Sequence, residues 1–205
     1  MSVAVVDYGV GNLNSILNML KRLGIDGYRS HDKDQIRAAH GLILPGVGHF
    51  DACLQNFTAS GLREVVEDQV VQGAPVLGIC VGAQMMTRGS QEGVLPGLGW
   101  VNADTVKFQL DETELKVPHM GWSDLSTVRA SPLWRDLPED PRFYFAHSYH
   151  FKFDESDLVI GQANYGYDFP CAFSKGNVFG IQFHPEKSHR FGMKVLENFA
   201  SLSFS

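Results

Sequence analysis

Cysteine is scarce in this chain, and the scarcity excludes several classes at once. Cys53, Cys80 and Cys171 are spread through 205 residues. An odd number at wide spacing supports neither a disulfide framework nor a zinc site. A chain built this way is expected in a reducing cytoplasm. Basic charge is also in deficit. Lys and Arg number 17 against 23 Asp and Glu, a net charge of −6, which argues against a nucleic-acid or anionic-membrane surface. No apolar run approaches the length of a membrane span. The opening Met1-Ser2-Val3-Ala4-Val5-Val6-Asp7 lacks the basic start of a signal peptide. Histidines show no metal-ligand spacing: His147 and His150 lie near each other but no acidic or cysteine set accompanies them, so no metal is expected. Repeats, low-complexity tracts and linkers are absent too. Residues 1–205 therefore read as one domain.

What the sequence does have is alternation. Residues 3–7, 27–30, 41–44 and 76–78 are short apolar or β-rich runs. Between them lie helical patterns over residues 12–23, 33–39, 50–57 and 62–72. In the first helix Leu13, Ile16, Leu17, Leu20 and Leu23 recur at helical spacing. Such alternation predicts an α/β fold, doubly wound, with a largely parallel sheet and helices on both faces. Residues 98–116 add a strand-rich extension. Residues 118–123 read as a turn, residues 143–149 as an aromatic strand, and residues 192–202 as a final helix. Gly9 and Gly11 after the first strand resemble part of a dinucleotide fingerprint. Asn14 stands where its third glycine belongs, so no nucleotide cofactor is expected.

In a sheet of this kind ligands bind at the carboxyl ends of the strands. Cys80 falls there, in Gly78-Ile79-Cys80-Val81-Gly82-Ala83-Gln84. The spacing is that of a nucleophile elbow, a sharp strand-to-helix turn with small residues two before and two after the nucleophile. A helix N-terminus beside the sulfur favours thiolate, and the Val81 amide can donate to an oxyanion. Taken alone, the pattern fits a buried structural cysteine as well as a nucleophile. A second segment, Gln182-Phe183-His184-Pro185-Glu186-Lys187, puts a histidine just past a strand end. Pro185 keeps the residue before it extended. Extended chain puts residues two apart on one side, so Glu186 is expected to hold one ring nitrogen of His184 while the other faces Cys80. A third segment, Leu44-Pro45-Gly46-Val47-Gly48, ends another apolar strand in a glycine-rich turn. It is either an ordinary loop or the source of a second oxyanion donor.

Together these segments resemble the class I glutamine amidotransferases, over essentially the whole chain. Five stretches carry the likeness: Asp7-Tyr8-Gly9-Val10-Gly11-Asn12, the Leu44–Gly48 turn, Pro118-His119-Met120-Gly121-Trp122, Phe145-Ala146-His147-Ser148-Tyr149, and the residues from Gln182 to Ser188. They point to the branch of glutaminase subunits that supply ammonia to a separate (βα)₈-barrel cyclase making imidazole glycerol phosphate and AICAR in histidine biosynthesis. A paralogous branch, whose barrel partner amidates a surface-polysaccharide sugar, is the alternative acceptor. The resemblance implies L-glutamine as substrate, no cofactor, and a 1:1 heterodimer.

By the same resemblance Cys80 is the nucleophile, His184 the base and Glu186 its orienter. Val81, Val47 and Gly48 correspond to the oxyanion site. Gly46, Gln84, His147, Ser148 and Tyr149 correspond to the glutamine pocket, and Asn12, Met120, Trp122 and Ser123 to the partner-facing surface. Trp122 tucked into the core is the other reading of that last segment. The chain departs from the family pattern at Val81 and Ala83, where Leu and Met are common, at Ser123, where asparagine is usual, and at His150, where tyrosine is frequent. Two other classes share a cysteine elbow: hydrolases such as peptidases and lactonases, and non-catalytic modules. Gln84 and the His184–Glu186 order speak against the first, and the complete triad against the second.

Overall fold

A computed structural model describes residues 2–110 and 115–202. Its first half alternates as expected: β1 (Ser2–Val6), α1 (Leu13–Arg22), β2 (Asp26–Ser30), α2 (Lys33–Arg37), β3 (Gly41–Gly46), α3 (Phe50–Ala59), α4 (Leu62–Val71), β4 (Val76–Cys80) and α5 (Val81–Met85). The second half is mostly strand: β5 (Ala103–Lys107), β6 (His119–Asp124), β7 (Ser126–Thr127), β8 (Arg142–His147), β9 (Tyr149–Phe153), β10 (Val159–Asn164), β11 (Asp168–Lys175) and β12 (Val178–Ile181), closed by α6 (His189–Ala200).

The main sheet runs β2-β1-β3-β4-β12-β11-β10-β7. Neighbours from β2 to β12 are parallel, and those from β12 to β7 antiparallel. The α/β class holds, but the sheet is extended by the antiparallel β11, β10 and β7 and not by residues 98–116, whose β5 pairs with β9 in a separate two-stranded sheet. Strands β3 and β4 are buried at every residue, as the central strands of a sheet covered on both faces must be. Helix α1 buries Leu13, Ile16, Met19 and Leu20 along one side. Asp32 starts α2 by accepting from the amides of Asp34 and Gln35, each at 2.9 Å. Among the described residues no helix is long and apolar enough to cross a membrane.

Four expectations are corrected. Residues 118–123 are not a turn; most of them form β6, which pairs antiparallel with β8 in the register Trp122↔Tyr144. The proline and glycine that suggest a turn sit at the strand's entrance and in its middle, where Gly121 adopts φ +143°. The aromatic run 143–149 is not one strand. It breaks at Ser148 into β8, which pairs with β6, and β9, which pairs with β5. Among the described residues of 98–116 the strand is β5, and residues 111–114 lie outside the described part. The last helix also begins three residues before the expected Gly192, at His189. Gly192 is needed inside it, because a Cβ there would meet the Pro185 carbonyl oxygen at 1.9 Å.

Candidate active site

Strand β4 continues to Cys80 itself, and the chain turns there into α5 without an intervening loop. Cys80 holds φ 53° and ψ −116°, a conformation that non-glycine residues adopt only where the surroundings enforce it. The enforcement comes from close backbone packing. A Cβ at Gly82 would lie 1.9 Å from the Leu44 carbonyl oxygen, and one at Gly46 would lie 2.3 Å from the Gly82 nitrogen. Only glycine at both positions lets the end of β3 press against the first turn of α5. Helix α5 has five residues, and a basic side chain also borders the sulfur in the cleft.

That side chain is His184. It follows β12, which lies next to β4 with Ile181 opposite Ile79. Its backbone amide donates to the Tyr144 carbonyl at 2.9 Å. Glu186 Oε1 accepts from its Nδ1 at 2.8 Å, and the two side chains are 5% and 3% exposed. The connection is not the extended chain expected from the sequence. Pro185–Lys187 is a short 3₁₀ turn, closed by the Lys187 amide and the Ser188 hydroxyl, which both donate to the His184 carbonyl at 3.1 and 2.6 Å. Proline fits the first position of such a turn. With Nδ1 engaged by Glu186, Nε2 is the nitrogen left to face Cys80, which lines the same cleft. Burial alone would lower the His184 pKa. Its interactions with Cys80 and Glu186 outweigh burial and push it up to about 10. Glu186 Oε2 is buried without a partner among the described residues.

The sulfur opens into a cleft of about 380 Å³. Val47, Gly48, Val81, Gln84, His147, Ser148 and Tyr149 line it. Gly46 does not; it lies beneath the elbow and serves packing. Gln84 directs its amide nitrogen at the Tyr149 carbonyl and at Gln182 Oε1, both at 3.1 Å. Gln182 in turn donates to Cys80 Sγ at 3.6 Å. His147 is buried beside His119, and desolvation pushes both imidazoles down, His119 to about 4, so both are neutral at neutral pH. Sequence reasoning singled out neither Gln182, Glu92 nor Ser188. Gln182 was legible as the residue two before His184 in an extended run. Glu92 also lines the cleft and accepts from the Phe50 amide at 2.8 Å, but sits in a loop without periodicity.

The expected partner-facing residues divide. Met120 and Trp122, 64% and 41% exposed, share one face of β6 near the cleft mouth, and Asn12 is exposed at the start of α1. Trp122 is therefore not a core residue; its indole stacks on the His189 ring at 5.4 Å. Ser123 points the other way. Side chains alternate along a strand, and Ser123 is half-buried with His119, its Oγ 3.0 Å from His119 Nε2.

Comparison with known proteins accords with this geometry. The family Glutamine amidotransferase class-I matches residues 4–202. Two solved structures share the fold: a glutamine amidotransferase, at TM-score 0.73 and 21% identity over 97% of this chain and 99% of that one, and PurLQS from Thermotoga maritima, at TM-score 0.71 and 18% identity over 97% and 96%. The chain belongs to the class-I glutamine amidotransferases, enzymes that act on amide carbon–nitrogen bonds. Curated relatives narrow the likeness. An imidazole glycerol phosphate synthase subunit HisH 2 of Pseudomonas aeruginosa is 47% identical over 98% of this chain and 99% of its own length. The HisH subunit of Bdellovibrio bacteriovorus is 46% identical over 98% and 100%. HisH 2 of Methanococcus maripaludis is 45% identical over 96% and 98%.

Proposed function

We propose that this chain is the glutaminase subunit of an imidazole glycerol phosphate synthase, hydrolysing L-glutamine and passing ammonia to a cyclase subunit. The observation that carries the reading is the convergence of Cys80, His184 and Glu186 at one cleft, in a chain whose relatives bear that enzyme's name over nearly their full length.

The chemistry follows from the parts. Cys80 Sγ attacks the side-chain carboxamide carbon of glutamine, and a carbon–sulfur bond forms. The carbonyl oxygen gains the charge and accepts from the amides of Val81 and of the Val47–Gly48 turn, which line the cleft; one such donor is typically worth about 3–4 kcal/mol of barrier. Imidazolium His184 protonates the departing nitrogen, the carbon–nitrogen bond breaks, and ammonia leaves a γ-glutamyl thioester. Neutral His184 then takes a proton from water, the hydroxide attacks the thioester, and glutamate leaves Cys80 free. Glu186 holds Nδ1 throughout, so that Nε2 handles the proton.

The partner is a (βα)₈-barrel cyclase in a 1:1 complex over the cleft mouth, where Met120 and Trp122 offer exposed apolar anchors. Its supply must be direct, because ammonia released into water becomes ammonium and loses its nucleophilic lone pair. A second reading keeps the same glutaminase chemistry and changes the acceptor, to a paralogous barrel that amidates a surface-polysaccharide sugar.

The test is glutamate release by the chain alone, with the cyclase, and with cyclase plus its acceptor. Activity that rises with each addition supports the reading, and full activity of the isolated chain contradicts partner control. Restored histidine-independent growth, in a strain lacking both subunits, assigns the acceptor. Failure there with restored sugar amidation moves the chain to the paralogous branch.

A further inference from the structure

Four hydrogen bonds run from the outer strand β6 to the floor of the cleft. Ser123 Oγ lies 3.0 Å from His119 Nε2. His119 Nδ1 lies 3.2 Å from His147 Nε2. His147 Nδ1 lies 2.7 Å from the Tyr149 carbonyl. The same carbonyl accepts from Gln84 Nε2 at 3.1 Å. His119 and His147 are both buried. The His119 ring is sandwiched between Tyr165 at 4.0 Å and Phe145 at 4.8 Å, so it is held in place by packing on both faces.

The direction of every bond follows from the last acceptor. A carbonyl oxygen cannot donate, so His147 carries its proton on Nδ1. Burial keeps that ring neutral, so its Nε2 is an acceptor. His119 must then donate from Nδ1, and its own Nε2 becomes an acceptor. Among the described residues Ser123 is the group placed to donate to it. The chain of bonds is thus polar, starting at the Ser123 hydroxyl and ending at the Tyr149 carbonyl. Local backbone geometry supports the contact. In a regular strand residues four apart stand roughly 13 Å apart, beyond the reach of a serine and a histidine. Gly121 lies between them at φ +143°, a conformation open to glycine, and lets β6 curl so that the two side chains meet.

We propose that Ser123, His119 and His147 form a directed relay that positions the Tyr149 carbonyl and, through it, Gln84 in the cleft, and that the relay requires a hydrogen-bond donor at position 123. This rests on the glutaminase reading for its kinetic consequence but not for its structure. Ser123 and His119 touch no reacting atom in that mechanism; they are positioning residues. The relay also joins the inner face of β6 to the cleft, while Met120 and Trp122 on its outer face are the proposed docking anchors. Partner contact on one side of the strand thereby reaches the glutamine pocket through the other.

Two measurements test it. Nitrogen-15 NMR of the wild-type chain reads the tautomers without turnover. Both His119 and His147 are expected to carry the proton on Nδ1, the minority tautomer of free histidine, with Nε2 bare. An Nε2-protonated form of either ring overturns the relay. The second is steady-state kinetics of the assembled enzyme. Ser123→Ala leaves a buried imidazole nitrogen without its donor, and the glutamine KM is expected to rise roughly three- to tenfold with kcat little changed. Ser123→Thr and Ser123→Asn, which keep a donor, are expected to restore the wild-type KM, and Ser123→Asp, whose carboxylate only accepts, is not. An unchanged KM in Ser123→Ala, or rescue by Asp but not by Asn, contradicts the proposal. Glutamine hydrolysis surviving Cys80→Ala would instead overturn the glutaminase site and leave the tautomer result standing.

Discussion

Gly46 is the register partner of Cys80 in the parallel β3–β4 pair. The nucleophile and the glycine-rich turn that follows Gly46 therefore leave the sheet at the same level, side by side. This is how two segments distant in sequence come to border one cleft. The pairing has no room for a side chain: a Cβ on Gly46 would meet backbone atoms of Val81 and Gly82. Gly46→Ala is expected to cost about 1–3 kcal/mol of stability, the usual penalty of overpacking, and to displace the elbow. Denaturant unfolding measures the first effect. Loss of glutaminase activity beyond the loss of folded protein measures the second.

Glu186→Gln should be milder than His184→Ala, because it changes the orientation and charge around the proton carrier without removing it. It should also change how stability depends on pH. The folded His184 pKa is raised to about 10, above its unfolded value of about 6.5. The stabilisation this represents is complete below about pH 6.5 and is lost as pH rises through about 10. Because Glu186 supplies part of the shift, the stability gap between wild type and Glu186→Gln should be widest near pH 6 and shrink toward pH 10. Urea titrations across that range provide the comparison. A gap that widens with pH would reverse the sign and contradict the assignment.

Gln182 ties the cleft together, donating to Cys80 Sγ and accepting from Gln84. Gln182→Leu keeps the volume and removes both bonds. The expected cost is roughly 1–3 kcal/mol for the buried amide left short of a partner, accompanied by a fall in glutamine turnover. Calorimetry and glutamate release on the same preparation separate the two. Wild-type turnover in a destabilised variant would make Gln182 structural only.

Much of this was legible in the sequence, for reasons that differ by residue. Parallel strands buried on both faces write themselves as unbroken apolar runs, so β1, β3 and β4 stood out. An elbow demands small residues around its apex, so Cys80 did too. Residues 118–123 misled because proline and glycine usually mark turns, whereas here glycine curls a strand. The aromatic run 143–149 hid its break because Ser148 carries no turn signal, and only the sheet pairing divides β8 from β9. The contact between His184 and Glu186 was foreseen, but through an extended chain. The 3₁₀ turn that makes it depends on Ser188, whose hydroxyl also accepts from the Tyr144 amide at 3.0 Å, a tertiary contact that no local pattern announces. The resemblance puts Ser123 with Trp122 on the partner-facing surface. Once β6 is a strand, adjacency puts them on opposite faces.

Trp122→Ala tests the docking surface. A large half-exposed aromatic at the centre of an interface commonly contributes about 2 kcal/mol or more to binding, so affinity for the cyclase should fall roughly thirtyfold while the thermal stability of the isolated chain changes little. Titration calorimetry with the cyclase gives the affinity. Unchanged binding would remove this face of β6 from the interface.

In the proposed function Cys80 makes ammonia from glutamine for a second subunit to use. The most direct measurement compares product formation by the assembled synthase carrying Cys80→Ala, driven by glutamine and driven by an added ammonium salt. Glutamine-driven synthesis is expected to disappear while ammonia-driven synthesis stays near the wild-type rate. Retained glutamine-driven synthesis, or equal loss of both, would contradict it.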